Sequence, residues 1–241
     1  MNKVMLITGA TSDLAIELLN NIKNEDITIL AFYNDYVEKL ELFKNNKIEI
    51  IPVYCDFNNI ENLKNIIENL SKEYEIDAVI HFAAMNIKNE RFNKITTEQV
   101  ELDFKIQYLS IFEILKKCIP IMKKNKKGKI IFLLSSSVIG LPPKYLSSYI
   151  SIKYALLGLM KTLAVEYANF NIQINSISPS MFESKFLKNI DEITREMYVK
   201  NHPMKEYITK KEIISTILFL LENENKFLNG NNFNLSGGES I

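Results

Sequence analysis

The residues best suited to chemistry lie between positions 135 and 153. Ser135-Ser136-Ser137 follows an apolar run, and Tyr149-Ile150-Ser151-Ile152-Lys153 comes shortly after it. Tyr149 and Lys153 are four residues apart, so on a helix they share a face. Tyrosine normally titrates near ~10 and lysine near ~10.4. An ammonium beside the phenol favours tyrosinate, which is expected to lower the phenol pKa and make Tyr149 an acid–base group. A serine at the neighbouring strand end could hold a substrate oxygen by hydrogen bond as charge develops on it. Tyr-x-x-x-Lys alone occurs by chance in many helices. It gains meaning from the serines before it and the strand order around it.

A second candidate region lies at the amino end. Thr8-Gly9-Ala10-Thr11-Ser12-Asp13-Leu14-Ala15 joins an apolar strand to an amphipathic stretch. A small-residue turn running into a helix N-terminus can take a pyrophosphate, through close backbone approach and free N–H groups. Gly9, Thr11, Ser12, Asp13 and Leu14 are therefore candidate cofactor contacts. Only one glycine of the expected three is present. Asp13 is expected at the helix end, with its carboxylate turned away from the phosphates, because a carboxylate facing them is repelled. At the next strand tip, Tyr33 and Asn34 hold the positions where an acid would select NAD and a basic residue NADP. Neither is there, which gives a slight lean to NADP(H) over NAD(H) if Asp35 points away. Asp56-Phe57 follows the third strand. Asp56 could accept from an adenine amino group, or it could cap a helix.

The elements that must position these groups are legible as alternation. Expected strands are Val4–Thr8, Thr28–Phe32, Glu49–Tyr54, Ala78–Phe82, Lys129–Leu134, Gln173–Ile177 and Asn232–Leu235. Expected helices are Leu14–Lys23, Val37–Lys44, Ile60–Glu73, Thr97–Lys123, Ser147–Asn169 and Lys210–Glu222. Strands alternating with helices predict an α/β fold with a parallel sheet covered on both faces. The run Ile130-Ile131-Phe132-Leu133-Leu134, apolar at every position, suits such a strand. With no linker or repeat, residues 1–241 are expected to form one domain. Residues 185–209 carry no strand pattern and follow a strand end, so they are expected to cover a substrate.

Composition narrows the function classes. Lys plus Arg and Asp plus Glu number 29 each, so no basic excess supports nucleic-acid or anionic-membrane binding. Cys55 and Cys118 are not in metal-ligand spacing and are expected to be free thiols in a reducing compartment. No metal site is expected. Val4–Ile7 is too short for a signal-peptide core, and Ile213–Leu221 is about half a membrane span. A cytoplasmic location is the expectation.

Taken in order, these motifs resemble those of the short-chain dehydrogenase/reductase family, over nearly the whole chain. The family's Thr-Gly-x-x-x-Gly-x-Gly turn resembles Thr8 to Ala15, with Asp13 and Ala15 at its second and third glycines. Its adenine-contacting Asp matches Asp56. Its Asn-Asn-Ala-Gly segment resembles His81-Phe82-Ala83-Ala84, and the Asn of its fourth helix aligns with Gln107, counted back from Pro120. Its Tyr-x-x-x-Lys is Tyr149 and Lys153. Pro179 through Phe182 to Ser184 resembles its Pro-Gly-x-x-x-Thr segment, and Gly230 to Gly237-Gly238 its glycine-rich ending. The catalytic serine is ambiguous by one position. Spacing to Tyr149 selects Ser136, Gly140 selects Ser137 and Gly128 selects Ser135; Ser136 is the expectation.

The resemblance implies a single-domain, Rossmann-like doubly wound sheet of about seven parallel strands, ordered 3-2-1-4-5-6-7. It implies an NAD(P)-dependent oxidoreductase moving a hydride between nicotinamide and a carbonyl or secondary alcohol. Candidate substrates are a 3-oxoacyl thioester, a keto-sugar or a small ketone. Ser136, Tyr149, Lys153 and Gln107 would be catalytic, Gln107 through a backbone carbonyl in a proton relay. Ala83, Ala84, Pro179, Phe182 and Ser184 would join the cofactor contacts, as would Tyr149 and Lys153. Homodimers or homotetramers packed through the fourth and fifth helices are implied too. A second reading, a non-catalytic nucleotide-binding sensor or regulatory protein that keeps the fold, draws on the departures at Asp13, His81, Ala84 and Gln107. The intact Tyr149–Lys153 pair argues against it.

Overall fold

The computed structural model describes residues 3–23, 26–41, 48–184 and 192–240. One parallel sheet of seven strands runs through it in the order β3-β2-β1-β4-β5-β6-β7. The strands are β1 (Lys3–Thr8), β2 (Ile27–Tyr33), β3 (Glu49–Tyr54), β4 (Ile76–His81), β5 (Gly128–Leu133), β6 (Ile172–Pro179) and β7 (Asn232–Leu235). All seven expected strands form, two with the expected bounds and the others with ends displaced by at most two residues. The central strands are buried on both faces because their residues are apolar on both: Met5, Leu6 and Ile7 are at most 1% exposed.

Two apolar cores result. On one face the sheet packs against α3 (Ile60–Glu73), α5 (Ser110–Asn125) and α6 (Ser147–Tyr167), through Leu63, Ile67, Ile114, Leu156 and Met160. On the other it packs against α1 (Asp13–Asn21) and α8 (Lys210–Glu222), through Leu14, Leu18, Ile213 and Ile217. Two shorter helices lie near the cleft: α2 (Glu38–Glu41) and α7 (Glu192–Asn201). The expected helix at Val37–Lys44 is seen as α2, and its end lies outside the described residues. The 185–209 segment is helical over α7; positions 185–191 also lie outside them.

The expected helix Thr97–Lys123 is divided. After α4 (Thr97–Phe104) comes one wide π turn, Lys105–Leu109, and then α5. The Ser110 N–H bonds back to the Lys105 carbonyl, five residues away. Ser110 Oγ donates to the Ile106 carbonyl at 2.5 Å, satisfying a group that the wide turn releases. The wide turn surrounds position 107, whose residue stays buried.

Candidate active site

All the strands point their carboxyl ends at one edge, and there a cleft of about 700 Å³ opens. Such a cleft is where ligands bind in open α/β sheets. Its wall runs from Gly9, Thr11, Ser12, Asp13 and Leu14, past Tyr33, Asn34, Asp56 and Phe57, to Ala83 and Ala84. It continues through Ser135, Ser136 and Ser137 to Tyr149 and Lys153, and ends at Pro179, Phe182 and Ser184. Every expected contact except Gln107 thus shares one cleft; Gln107 lines a smaller chamber beside it.

The amino end of the cleft is built around Gly9. Gly9 has φ +62°, and a Cβ built there would lie 3.0 Å from the Ala83 nitrogen and 3.1 Å from the Phe82 carbonyl carbon. A side chain would be tight against the neighbouring backbone and strained by the conformation. Gly9→Ala should therefore lower stability by ~1–2 kcal/mol from the left-handed backbone alone, read as a fall in thermal midpoint. An unchanged midpoint would contradict the steric argument. Ser12, not Asp13, caps α1; its hydroxyl accepts from the Ala15 N–H at 3.3 Å. Asp13 is the first helical residue. Its carboxylate lies 3.8 Å from Lys39 Nζ, while Lys39 also donates to the Thr11 carbonyl at 2.7 Å. First-turn N–H groups have no intrahelical partner, so those of Asp13 and Leu14 lie ahead of the helix's own bonds and face the turn.

Beyond the turn, β2 ends at Tyr33, whose ring meets Tyr54 edge-on at 5.8 Å. Asn34 donates to Asp35 at 3.4 Å. Asp56 accepts from the Asn58 N–H at 2.9 Å, and Asn59 is the cap of α3. Asp56 shapes the turn and lies on the cleft wall.

The chemical end is built on β5 and α6. Ser135 caps a short 3₁₀ turn, Ser136–Val138, and its hydroxyl reaches Ser137 Oγ at 3.1 Å. The Ser135 hydroxyl also lies beside the Tyr149 phenol, where it works against a rise in the phenol pKa. Ser136, the serine selected by spacing, sits within the turn and is 9% exposed. Of the three serines, Ser135 is the one whose hydroxyl reaches the Tyr149 phenol.

Burial dominates the electrostatics of the pair. Enclosure pushes the Tyr149 phenol up to about 12, and burial pushes the Lys153 amine down to about 8. Lys153 Nζ donates to the Leu133 carbonyl at 3.0 Å and lies 5.4 Å from the Tyr149 ring centroid. The expected lowering of the phenol by the ammonium is not what this arrangement produces. Desolvation of both groups outweighs it.

His81 and Gln107, noted as two separate departures, meet in the structure. His81 Nε2 lies 2.8 Å from the Gln107 carbonyl oxygen, and Nδ1 lies 2.8 Å from Thr8 Oγ1. A carbonyl can only accept, so Nε2 carries the proton and Nδ1 accepts from the Thr8 hydroxyl. Thr8 Oγ1 accepts in turn from the Ala83 N–H at 3.2 Å. Burial holds the His81 pKa down to about 3, so the ring stays neutral.

Sequence reasoning missed several groups on these walls. Lys39 is one; nothing in its spacing shows that α2 turns it back onto the first turn. Tyr198 of α7 and Glu239 are others. The Tyr198 hydroxyl lies 3.2 Å from both the Met181 N–H and Glu239 Oε2, tying α7 to the carboxyl-terminal turn at the rim of the cleft.

A family profile described as enoyl-(acyl carrier protein) reductase matches residues 9–240. The 3-oxoacyl-(acyl-carrier-protein) reductase FabG of Buchnera aphidicola subsp. Schizaphis graminum is 28% identical over 98% of this chain and 96% of that protein. Among solved structures, levodione reductase superposes with a TM-score of 0.89 at 22% identity, over 99% of this chain and 98% of that one. ElxO with NADP bound gives a TM-score of 0.82 at 25% identity, over 99% and 98%.

Proposed function

This chain belongs to the short-chain dehydrogenase/reductase family, and from that premise we propose that it reduces the keto group of a small 3-oxoacyl thioester with NADPH. It is an NAD(P)-dependent oxidoreductase acting on carbonyl or alcohol groups. The observation that carries the finer reading is the joining of two ends in one cleft. The Gly9 turn lies at one end, and Tyr149, Lys153 and the serines lie at the other. A bound nicotinamide cofactor supplies the hydride for the carbonyl carbon. Ser135 holds the substrate oxygen by hydrogen bond. Tyr149, protonated at neutral pH by its raised pKa, gives the proton to that oxygen. Lys153 holds the cofactor's ribose, fixed by its bond to the Leu133 carbonyl. The Gly9 turn and Ser12 take the pyrophosphate, Asp56 the adenine, and Pro179, Phe182 and Ser184 flank the nicotinamide. The relatives named as 3-oxoacyl reductases support the substrate class. Oxidation of NADPH and of NADH with acetoacetyl thioester, followed optically, tests the reading; no turnover of it would remove that substrate class.

Lys39 supports the choice of NADPH. It is the cation that α2 places on the cleft wall beside Tyr33, Asn34 and Asp35, where a 2′-phosphate would lie. Lys39→Met should weaken NADPH binding by about tenfold, about 1.4 kcal/mol, with NADH binding unchanged. An equal loss for both cofactors in a binding titration would rule out this role.

Residues 1–241 act as one domain in this reading, and residues 185–209 cover the substrate, with α7 over the cleft rim. A homodimer or homotetramer is supported by exposed apolar side chains on the helices expected to pair: Val100 and Phe112, and Tyr154 and Val165. The cytoplasm suits Cys55 and Cys118, both buried as free thiols. Among the described residues, no helix is long and apolar enough to cross a membrane.

A further inference from the structure

Each reduction takes one proton from Tyr149, and the phenolate must recover it from solvent before the next. The relay implied by resemblance runs through the backbone carbonyl at position 107. In this chain that carbonyl is bonded by His81 Nε2–H at 2.8 Å, and both residues are 1% exposed. The side-chain oxygen of the same residue is placed differently. Gln107 Oε1 is buried and has no hydrogen-bond partner in the protein. Gln107 lines a chamber of about 60 Å³ whose wall also includes Tyr149, Ser148 and Asp103. Ser148 Oγ donates to Asp103 Oδ2 at 3.1 Å. A buried polar atom calls for a partner. A water needs roughly 10–15 Å³ of such space and two to four polar neighbours, and this chamber offers both.

We propose that the proton consumed at Tyr149 is resupplied through this chamber, along water held by Gln107 Oε1, with Asp103 as the acid at its outer end. This rests on the reductase reading above. The steps balance without any added oxidant or reductant. The Tyr149 O–H bond breaks as the substrate O–H bond forms. A chamber water then gives a proton to the phenolate and takes one from the Asp103 carboxyl, and the Asp103 carboxylate takes one from bulk solvent. The charged and titratable groups around Asp103 are Lys88 and Glu90 from the segment after β4, and Tyr145 and Tyr149 from the start of α6 and the loop before it. Half-burial raises the Asp103 pKa more than Ser148 and Lys88 lower it.

Asp103→Asn keeps a partner for Ser148 but cannot carry the proton. With NADPH and acetoacetyl thioester, its kcat should fall roughly tenfold or more, towards the lower range of acid–base contributions. KM and NADPH affinity should stay unchanged, and the solvent deuterium isotope effect on kcat should rise. Added formate or imidazole should restore the rate in Asp103→Asn but not in Tyr149→Phe. Gln107→Leu removes Oε1 and leaves the backbone carbonyl and its His81 contact, so it should lose kcat in the same way. Wild-type kcat in both variants overturns the proposal, and so does a loss of kcat that no small acid rescues. High-resolution diffraction of the ligand-free chain should show ordered water against Gln107 Oε1, and a dry chamber overturns the proposal alone. Failure of the wild type to reduce any carbonyl would instead overturn the reductase reading.

Discussion

Tyr149→Phe is expected to lower kcat by ~10²–10⁴-fold, the usual contribution of a general acid–base group, while cofactor binding and fold persist. The fold should survive because the phenol's one hydroxyl neighbour is provided for without it. Ser135 Oγ keeps its contacts with Ser137 Oγ at 3.1 Å and the Ser137 N–H at 3.3 Å. Cofactor binding should survive because the Gly9 turn and Lys153 are untouched. The sign of the pH dependence follows from the raised phenol. With a pKa pushed up to about 12, Tyr149 carries its proton throughout the neutral range and is ready as an acid for reduction. Alcohol oxidation needs the tyrosinate, so its rate should climb with pH over a range where the reduction rate is flat. Single-turnover kinetics at several pH values, with NADPH binding followed by fluorescence, would test both halves. Turnover of Tyr149→Phe near that of the wild type would remove the residue from the chemistry.

The fold was legible because its signals are local and repeated. Runs such as Ile130 to Leu134 declare a strand covered on both faces, and the 3.6-residue periods between them declare the helices. Tyr149 and Lys153 were legible for a similar reason, since a spacing of four needs only a helix to bring them together. The features that were not legible depend on contacts distant in sequence or on a single turn. Ser135, just ahead of the 3₁₀ turn at Ser136–Val138, is the serine whose hydroxyl meets Tyr149, and counting residues cannot show how tightly a turn winds. His81 and Gln107 stand 26 positions apart; each reads alone as a lost motif residue, and only the fold shows them bonded. The π turn that holds Gln107 is stabilised by Ser110 reaching back to Ile106, a bond between ordinary helical residue types. Lys39 meets Asp13 across 26 residues as well, and the carboxylate that looked misplaced in a glycine's position has a cation to face.

Lys153→Met is expected to separate activity from stability. Turnover should fall on the order of 10²-fold, because the amine packs beside the Tyr149 ring and, in the proposed reading, holds the cofactor's ribose. Stability should rise. Lys153 is 3% exposed, and burial lowers its pKa from 10.5 to about 8. At about 1.36 kcal/mol per pH unit, holding the charged amine in the folded chain costs about 3 kcal/mol at neutral pH. Methionine removes that penalty. It also removes the bond to the Leu133 carbonyl, worth about 1 kcal/mol. The net gain is then about 2 kcal/mol, or roughly 4–8 °C in thermal midpoint for a chain of this size. The sign reverses with pH. Between about 8 and 10.5 the unfolded chain binds a proton at Lys153 that the folded chain does not, so wild-type stability rises with pH through that window. The variant lacks this contribution. Its advantage should shrink across the window and become a small deficit above it, where only the lost hydrogen bond remains. Lys129, also lowered to about 8 by burial, titrates in both proteins and cancels in the comparison. Thermal melts of both proteins from pH 7 to pH 10.5 would show the crossing. A variant less stable than the wild type at pH 7 would mean that the buried amine is stabilised by more than its one carbonyl.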